Sequence, residues 1–377
     1  MTETSAITRP LTAAVVRDKG APFQLEQGTI GQPAPREVLV RVVATGVCHT
    51  DIIIRDQYYP SPLPAVLGHE GSGVVEAIGS DVVGFAVGDH VVMSFMSCGT
   101  CRPCQNGHPA HCGDFFALNF GGGRGDGSTA TCDSHGALVH DHFFGQSSFG
   151  TYAIAHERNL VKVARDAPLE LLGPLGCGIQ TGAGAVLKAM AVPAGSSFAA
   201  FGSGAVGLSA VMAARVAGAT TIIAVDVTQS RLDLALELGA THVVNSREVD
   251  PVEAIREITG GGVDYTLESS GRPAVLRQAI DCLGIMGTCG IVGAPPLGTE
   301  ASIDVNYVMV PGKRIMGIVE GDAVPQTFIP QLIALHAQGR FPFDRLVTFY
   351  DFADINQAVA DSESGKTIKP ILRIAAA

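Results

Sequence analysis

Residues 197–226 read SFAAFGSGAVGLSAVMAARVAGATTIIAVD: an apolar run, a glycine turn, an alanine-rich helical stretch and a second apolar run ending on a carboxylate. A strand followed at once by a turn and a helix, with another strand close behind, folds readily only as a right-handed βαβ unit of a parallel sheet. Gly202-Ser-Gly204-Ala-Val-Gly207 fits G-x-G-x-x-G. The first glycine permits the tight turn, the second lets backbone approach a pyrophosphate, and the third lets helix pack on strand. Phosphate oxygens then meet unpaired N–H groups at a helix N-terminus. Asp226 falls about twenty residues on, where a carboxylate receives ribose hydroxyls and repels a 2′-phosphate, which predicts NAD rather than NADP. A purely structural glycine turn beside an ordinary exposed aspartate is the competing reading.

The same alternation continues through SRLDLALELG, HVVN, VDYTLESS, GTCGIVG and KRIMGIV. Residues 179–319 are therefore expected to form a doubly wound α/β domain. Earlier segments such as EVLVRVVATG, GSGVVEAIG and GDHVVMSF alternate apolar and polar residues between Gly and Pro breaks, which predicts a β-rich domain over residues 1–178. From residue 320 the chain is mixed again, with a helix near FIPQLIALHAQG and a last strand PILRI, so residues 320–377 are expected to return to the β domain. A length of 377 residues suits two domains. The polar, Gly-rich stretch 121–140 is expected to be a loop. A net charge of −11 disfavours nucleic acid and anionic membranes as partners. No apolar run is long enough to span a bilayer, and MTETSAITRPLTAAVVRD has no leader pattern, so a cytoplasmic location is expected.

Nine cysteines are present, four of them in CGTCRPCQNGHPAHC. In a reducing compartment short spacings point to metal rather than disulfides. Cys98, Cys101, Cys104 and Cys112, in a lobe over about residues 96–114, can complete a closed tetrahedron around zinc. A site with no open position staples a loop and activates nothing. His108 and His111 lie inside this loop and are expected at the surface. A catalytic zinc needs three protein ligands and an open position. Cys48, His69 and Cys177 are candidates, but they are far apart in sequence, and each taken singly reads equally as a core residue.

GVCHTD (46–51), GHEGSGVVEAIG (68–79), the C-x2-C-x2-C-x7-C loop, GCGIQTGAGAV (176–186) and GSGAVG…AVD occur in that order. Together they resemble the zinc-dependent medium-chain alcohol dehydrogenases over nearly the whole chain. The resemblance implies a GroES-like β-rich catalytic domain with an inserted Rossmann domain, two zinc ions per chain and NAD. It implies that Cys48, His69 and Cys177 bind the catalytic zinc and that the four-cysteine loop binds the structural one. Thr50 would meet the substrate hydroxyl and begin a proton relay, Asp51 would orient the His69 ring, and Glu70 would sit behind the metal. His49 and Lys369 resemble the residues that contact the cofactor pyrophosphate; Thr181 and Val206 resemble those around the nicotinamide, and Val292 is a further cofactor-binding position that the resemblance implies. Arg231 either flanks the adenosine or is an exposed helix cation. A homodimer or homotetramer is also implied.

One departure is plain. The family's best-known members end the relay on a histidine five positions after the cysteine ligand, and here that residue is Ile53. The relay is then expected to end through water or His49. The apolar replacement and FGQSSFGTYAIAHERNLVKV (144–163) resemble the aryl-alcohol branch, the benzyl alcohol and geraniol dehydrogenases. The resemblance thus implies oxidation of primary aromatic or allylic alcohols, with Phe95 and Phe149 as either pocket walls or plain core. Rival readings are a dehydrogenase for aliphatic alcohols, polyols or a glutathione adduct of formaldehyde, and an inactive nucleotide-binding scaffold. Cys132, Cys282 and Cys289 have no partner pattern and are expected to be ordinary thiols.

Overall fold

The computed structural model describes residues 8–374; the first seven residues, part of the stretch in which no leader is expected, lie outside the described residues. The chain divides into two compact units. One comprises the chain up to Cys177, Val324–Pro330 and the chain from Leu346 on; the other comprises Gly178–Ala323 and Gln331–Arg345. A single return at residue 320 was the expectation. Instead the chain returns after Ala323, and residues 331–345 go back to the second unit. The division falls at Pro330, inside helix Pro325–Ala337. An apolar stripe says that a helix is buried but not which body holds each half.

In the first unit a five-stranded sheet runs in the order Ala65–Val66, Arg9–Val16, Gln24–Ile30, Thr131–Asp133, Leu138–Val139. The last two strands correct the loop expected over 121–140. Asp133 Oδ1 accepts the N–H groups of His135 and Ala137, which tightens a hairpin whose alternation the surrounding glycines hide. A second, seven-stranded sheet is built on Glu37–Gly46. That strand, EVLVRVVATG, is buried along almost its whole length, as a strand covered on both faces must be. It pairs antiparallel with Glu70–Ile78, placing Gly46 opposite Glu70, and with Lys369–Arg373, placing Gly46 opposite Ile371. The residues just beyond these pairs, Cys48, His69 and Lys369, therefore meet at one end of three strands.

The second unit holds a six-stranded, wholly parallel sheet in the order His242–Asn245, Thr221–Asp226, Ser197–Phe201, Val263–Glu268, Leu283–Ile291, Arg314–Gly317. Counted within the unit this is 3-2-1-4-5-6, the dinucleotide-binding order, whose switch point lies at the first strand. Helix Ala205–Ala217 follows that strand and ends on Gly218 at φ +86°. Asp250 caps helix Pro251–Thr259 by accepting the N–H groups of Val252 and Glu253, with proline at its first position. No helix among the described residues is long and apolar enough to cross a membrane.

Candidate active site

Cys48, His69, Glu70 and Cys177 offer ligand atoms that all lie within 4.8 Å of one another. The sheet brings the first three together; close backbone approach brings the fourth. Gly173 and Gly176 bracket the short turn before Cys177. A Cβ on Gly173 would stand 2.1 Å from Glu70 O, and one on Gly176 would stand 2.0 Å from Met93 O. Only glycine lets this turn lie so flat on the sheet. Ser94 Oγ fastens it by donating to Gly176 O at 2.6 Å. The spacing GPLGCG thus has a steric cause.

His69 is fully buried, and its Nδ1 donates to Asp51 Oδ1 at 2.8 Å. Asp51 also accepts the N–H groups of Cys48 at 2.9 Å and Gly68 at 3.1 Å, so one carboxylate fixes both strand ends and the ring. With the proton on Nδ1, the lone pair of His69 sits on Nε2, a buried nitrogen with no hydrogen-bond partner among the described residues. A buried imidazole nitrogen without a donor, facing two sulfurs, fits a metal ion. The Cys48 thiol is held well below its ordinary range, first by its hydrogen bond with Cys177 and further by the charges of Lys369 and His69. Thr50 Oγ1 lies 3.8 Å from Cys48 Sγ on the half-buried side of helix His49–Arg55. His49 is exposed and Ile53 is buried on the same helix.

Lys369 is buried against Glu70. Its side chain is 3% exposed, and Nζ donates to both Glu70 oxygens at 2.9 Å and to Val47 O at 3.3 Å. An ammonium has three donors, and all three are used. Burial alone would push this lysine down, but the Glu70 charge outweighs it and holds the ammonium above its ordinary range. Lys369 is the counter-ion of Glu70, a partner that the sequence reading did not name.

For the aromatic residues, burial decides between the two readings. Phe149 is wholly buried, edge-on to Phe23 at 5.5 Å and packed under Gly68, so it is core. Phe95 is 3% exposed and packs on Phe115. The cleft it borders, about 560 Å³, is walled by Ser97, Cys104, Gly107 and Pro109 of the cysteine lobe and by none of the four clustered ligand residues. Phe143 and Phe144, unmarked in the sequence reading, are the rings packed on the cluster, 2% and 4% exposed. Their ring centroids lie 5.3 and 4.5 Å from that of His69, backed by Phe115 and Phe120. The only hint was the doublet HFFG, since two adjacent phenylalanines rarely both serve one strand face. Gln146 was missed too: its Nε2 donates to His69 O and its Oε1 accepts Gly71 N–H, bracing the chain on either side of Glu70.

In the cysteine loop the four sulfurs lie within the same 4.8 Å limit, and none of the nine cysteines forms a disulfide. Backbone N–H groups point at sulfur: Cys101 to Cys98 and Cys98 to Cys112 at 3.3 Å, Gly113 to Cys101 at 3.5 Å. The N–H groups of Cys101 and Thr100 hold the Cys98 thiol down to about 6. Gly99, at φ +77°, leaves room for the Arg158 guanidinium, which donates to Ser97 O. His108 and His111 are exposed. Cys104→Ser is expected to cost one zinc ion per chain and about 2–3 kcal/mol of stability. Zinc analysis with a denaturant melt checks this, and a variant keeping both ions would contradict it. Among the other thiols Cys132 is half-buried, and burial pushes Cys289 up to about 11 and Cys282 further still, so the last two are inert.

The glycine turn of the second unit gives each glycine its own reason. Gly202 stands at φ +99°, a Cβ on Gly207 would lie 1.7 Å from Gly202 O, and a Cβ on Gly204 would meet nothing within 4 Å. Open space at the middle glycine, beside a helix N-terminus, is a cradle for a pyrophosphate. Asp226 is 9% exposed; Oδ2 accepts Ser203 N–H at 2.6 Å and Oδ1 accepts those of Val227 and Thr228. The carboxylate holds the turn and keeps acceptor capacity on Oδ2. Ser203 Oγ and Arg231 Nε are buried without partners among the described residues, so Arg231 is not the exposed cation of the alternative reading. Thr181 lies half-buried on helix Gly178–Gly184, where a Cβ on Gly182 would stand 2.0 Å from Val206 O. Val292, at the end of strand Leu283–Ile291, donates its N–H to Glu268 O. Both are thus near the carboxyl edge of the sheet, and these unpartnered groups fit a dinucleotide.

Residues 34–165 match the model of the alcohol dehydrogenase GroES-like domain, and residues 205–338 match that of the zinc-binding dehydrogenases. A geraniol dehydrogenase of Castellaniella defragrans is 48% identical over 361 residues, 96% of each chain. The crystal structure of a benzyl alcohol dehydrogenase from Acinetobacter calcoaceticus superposes with a TM-score of 0.95 at 58% identity, covering 97% of this chain and 100% of that one. An alcohol dehydrogenase zinc-binding domain protein from Burkholderia ambifaria gives 0.96 at 68% identity, covering 98% and 100%. Likeness of this extent, across both units and both cysteine-bearing segments, makes the chain a member of the zinc-dependent alcohol dehydrogenase family.

Proposed function

We propose that this NAD- and zinc-dependent dehydrogenase oxidises primary aromatic and allylic alcohols to aldehydes, reversibly, with Cys48, His69 and Cys177 as ligands of the catalytic zinc. The observation that carries the substrate class is the likeness over almost the whole chain to two named alcohol dehydrogenases. Relatives named for geraniol and for benzyl alcohol support the same class. Zinc, when bound, supplies Lewis-acid polarisation of the alcohol oxygen, and NAD supplies the hydride acceptor.

The chain's own residues do the rest. Asp51 holds His69 in the tautomer that presents Nε2. Glu70, neutralised by Lys369, keeps a buried carboxylate beside the ligands without an unpaired charge. Thr50 Oγ1 accepts the hydroxyl proton's hydrogen bond, and exposed His49 or water passes the proton to solvent, because buried Ile53 has no group to carry it. Asp226, Ser203 and Arg231 are assigned to the adenosine half of NAD, and Thr181, Val206 and Val292 to the nicotinamide half.

We also place the protein in the cytoplasm as a homo-oligomer. Reduced, clustered cysteines suit a reducing compartment. Strand Arg314–Gly317 is an open sheet edge, and Ile285, Met286, Val305, Met309 and Val310 near it are exposed, a surface that a second copy would cover.

Initial rates of NAD reduction with benzyl alcohol, geraniol and ethanol, side by side, test the reading. The first two are expected to exceed ethanol in kcat/KM by about 100-fold or more, the scale on which an apolar pocket discriminates. The reverse order would sink the aromatic and allylic assignment.

A further inference from the structure

Two of the three ligands in the candidate metal cluster are tied together by one side chain. Asp51 accepts the Cys48 N–H and holds the His69 ring. Cys177 is reached differently, because it follows a short turn that belongs to no strand. A second chain of hydrogen bonds runs from His69 to that turn. Gln146 is 1% exposed, and its Nε2 donates to His69 O at 2.9 Å and to Ser94 O at 3.2 Å. Its Oε1 accepts Gly71 N–H at 3.1 Å. Two carbonyls on one side of the amide and an N–H on the other leave a single orientation for the group. Ser94, wholly buried, carries the link onward: its Oγ donates to Gly176 O at 2.6 Å, the carbonyl of the peptide bond to Cys177. Both ends of this path are fixed. His69 and Ser94 stand just outside the paired strands Glu70–Ile78 and His90–Met93, so the amide closes the end of that pair. A Cβ on Gly71 would stand 2.6 Å from Ser148 Cβ and 3.1 Å from Gln146 Oε1, so glycine is what lets the amide lie this close. Asn159 Nδ2 donates to Gly145 O at 2.9 Å, anchoring the residue before Gln146, and Asn159 O accepts Ser94 N–H at 2.8 Å.

Resting on the ligand set given above, we propose that Gln146 and Ser94 are positioning residues: together they set the separation of His69 from Cys177 and so the affinity of the catalytic metal site. They act through the backbone of the ligand residues rather than through contact with the ion. The links from His69 O to Gln146, from Gln146 to Ser94 and from Ser94 to Gly176 O stand in series. Cutting any one of them releases the Cys177 turn from His69. Partners that orient metal ligands are worth about tenfold or more in metal affinity.

Zinc-loaded wild type, S94A, Q146M and the double variant are titrated with EDTA, and the zinc left on the protein is measured at each concentration. The step missing from Cys177→Ser belongs to the catalytic site; the other belongs to the four-cysteine loop and serves as an internal control. In S94A and in Q146M the catalytic step is expected at an about tenfold lower EDTA concentration, with the loop step unmoved. The double variant should shift no further than the larger single one, because a severed series cannot be severed twice. Both steps moving together would show a general loosening of the fold and overturn the proposal. So would a catalytic step that stays in place in both single variants, or shifts that multiply in the double variant. If Q146M does not fold, S94A decides by whether its catalytic step moves alone. A wild type whose profile matches that of Cys177→Ser would sink the ligand set itself, whereas two intact steps without a shift would sink only the brace.

Discussion

Cys177→Ser is expected to lower the rate of alcohol oxidation by at least about three orders of magnitude, because zinc supplies several kcal/mol at the transition state and each 1.36 kcal/mol is tenfold. The variant should fold. Cys177 is 6% exposed at the end of a turn whose approach depends on Gly173 and Gly176 rather than on the thiol, and serine is smaller than cysteine. What changes is chemistry. A serine hydroxyl does not ionise near neutral pH, so the cluster keeps one thiolate and one imidazole, and Cys48 loses the hydrogen bond that most lowers its pKa. Zinc content should fall from two ions per chain to one, because the four-cysteine loop is untouched. A rate within tenfold of wild type with one ion bound would show that the chemistry does not run at this cluster.

Lys369→Met is expected to destabilise the first unit by about 3–5 kcal/mol, the usual cost of breaking a buried ion pair from one side. Glu70 is wholly buried, and its two oxygens share a single cation. Without that cation a carboxylate stands among Cys48, His69 and Cys177 in a site it cannot leave, since Gly46 and Gly173 pack against it too closely for any side chain. Glu70→Gln in the same background should recover much of the loss, as a neutral amide needs no counter-ion. A denaturant melt of the single and double variants measures this as a coupling energy. Lys369→Met melting within about 0.5 kcal/mol of wild type would mean that the lysine is not committed to Glu70.

What the sequence shows and what it hides have separable causes. The parallel sheet and its glycine turn are legible because strand, turn and helix are local, and Gly202, Gly204 and Gly207 each answer a local steric demand. The cysteine loop is legible for the same reason: four ligands lie within fifteen residues. Cys48, His69 and Cys177 are joined only by strand register and by a turn lying flat on the sheet, which no spacing encodes; ordered motifs resembling a family named them together. The partner of Lys369 is hidden because a basic residue near a chain end shows its charge but not what it pairs with. The Glu70 contact follows from the antiparallel pairing of Lys369–Arg373 with Glu37–Gly46, over 300 residues away in sequence. That Phe144 rather than Phe149 packs on His69 is hidden for a similar reason. Both sit in one aromatic-rich segment, and the left-handed conformations at His142 and Phe144 that turn the nearer ring toward His69 leave no mark in residue type. The excursion of residues 331–345 is hidden because Pro330 divides one continuous helix between two bodies.

The central claim is that the chain carries two unlike metal sites, one closed and structural, one open and chemical. X-ray absorption at the zinc edge of the purified protein tests it most directly. Two ions per chain are predicted, one bound by the four sulfurs of Cys98, Cys101, Cys104 and Cys112, the other by Cys48 and Cys177 sulfur with His69 nitrogen and a lighter ligand. The averaged shell should therefore show sulfur in excess with a clear imidazole contribution. A shell of sulfur alone, or a single ion per chain in fully active enzyme, would contradict the account.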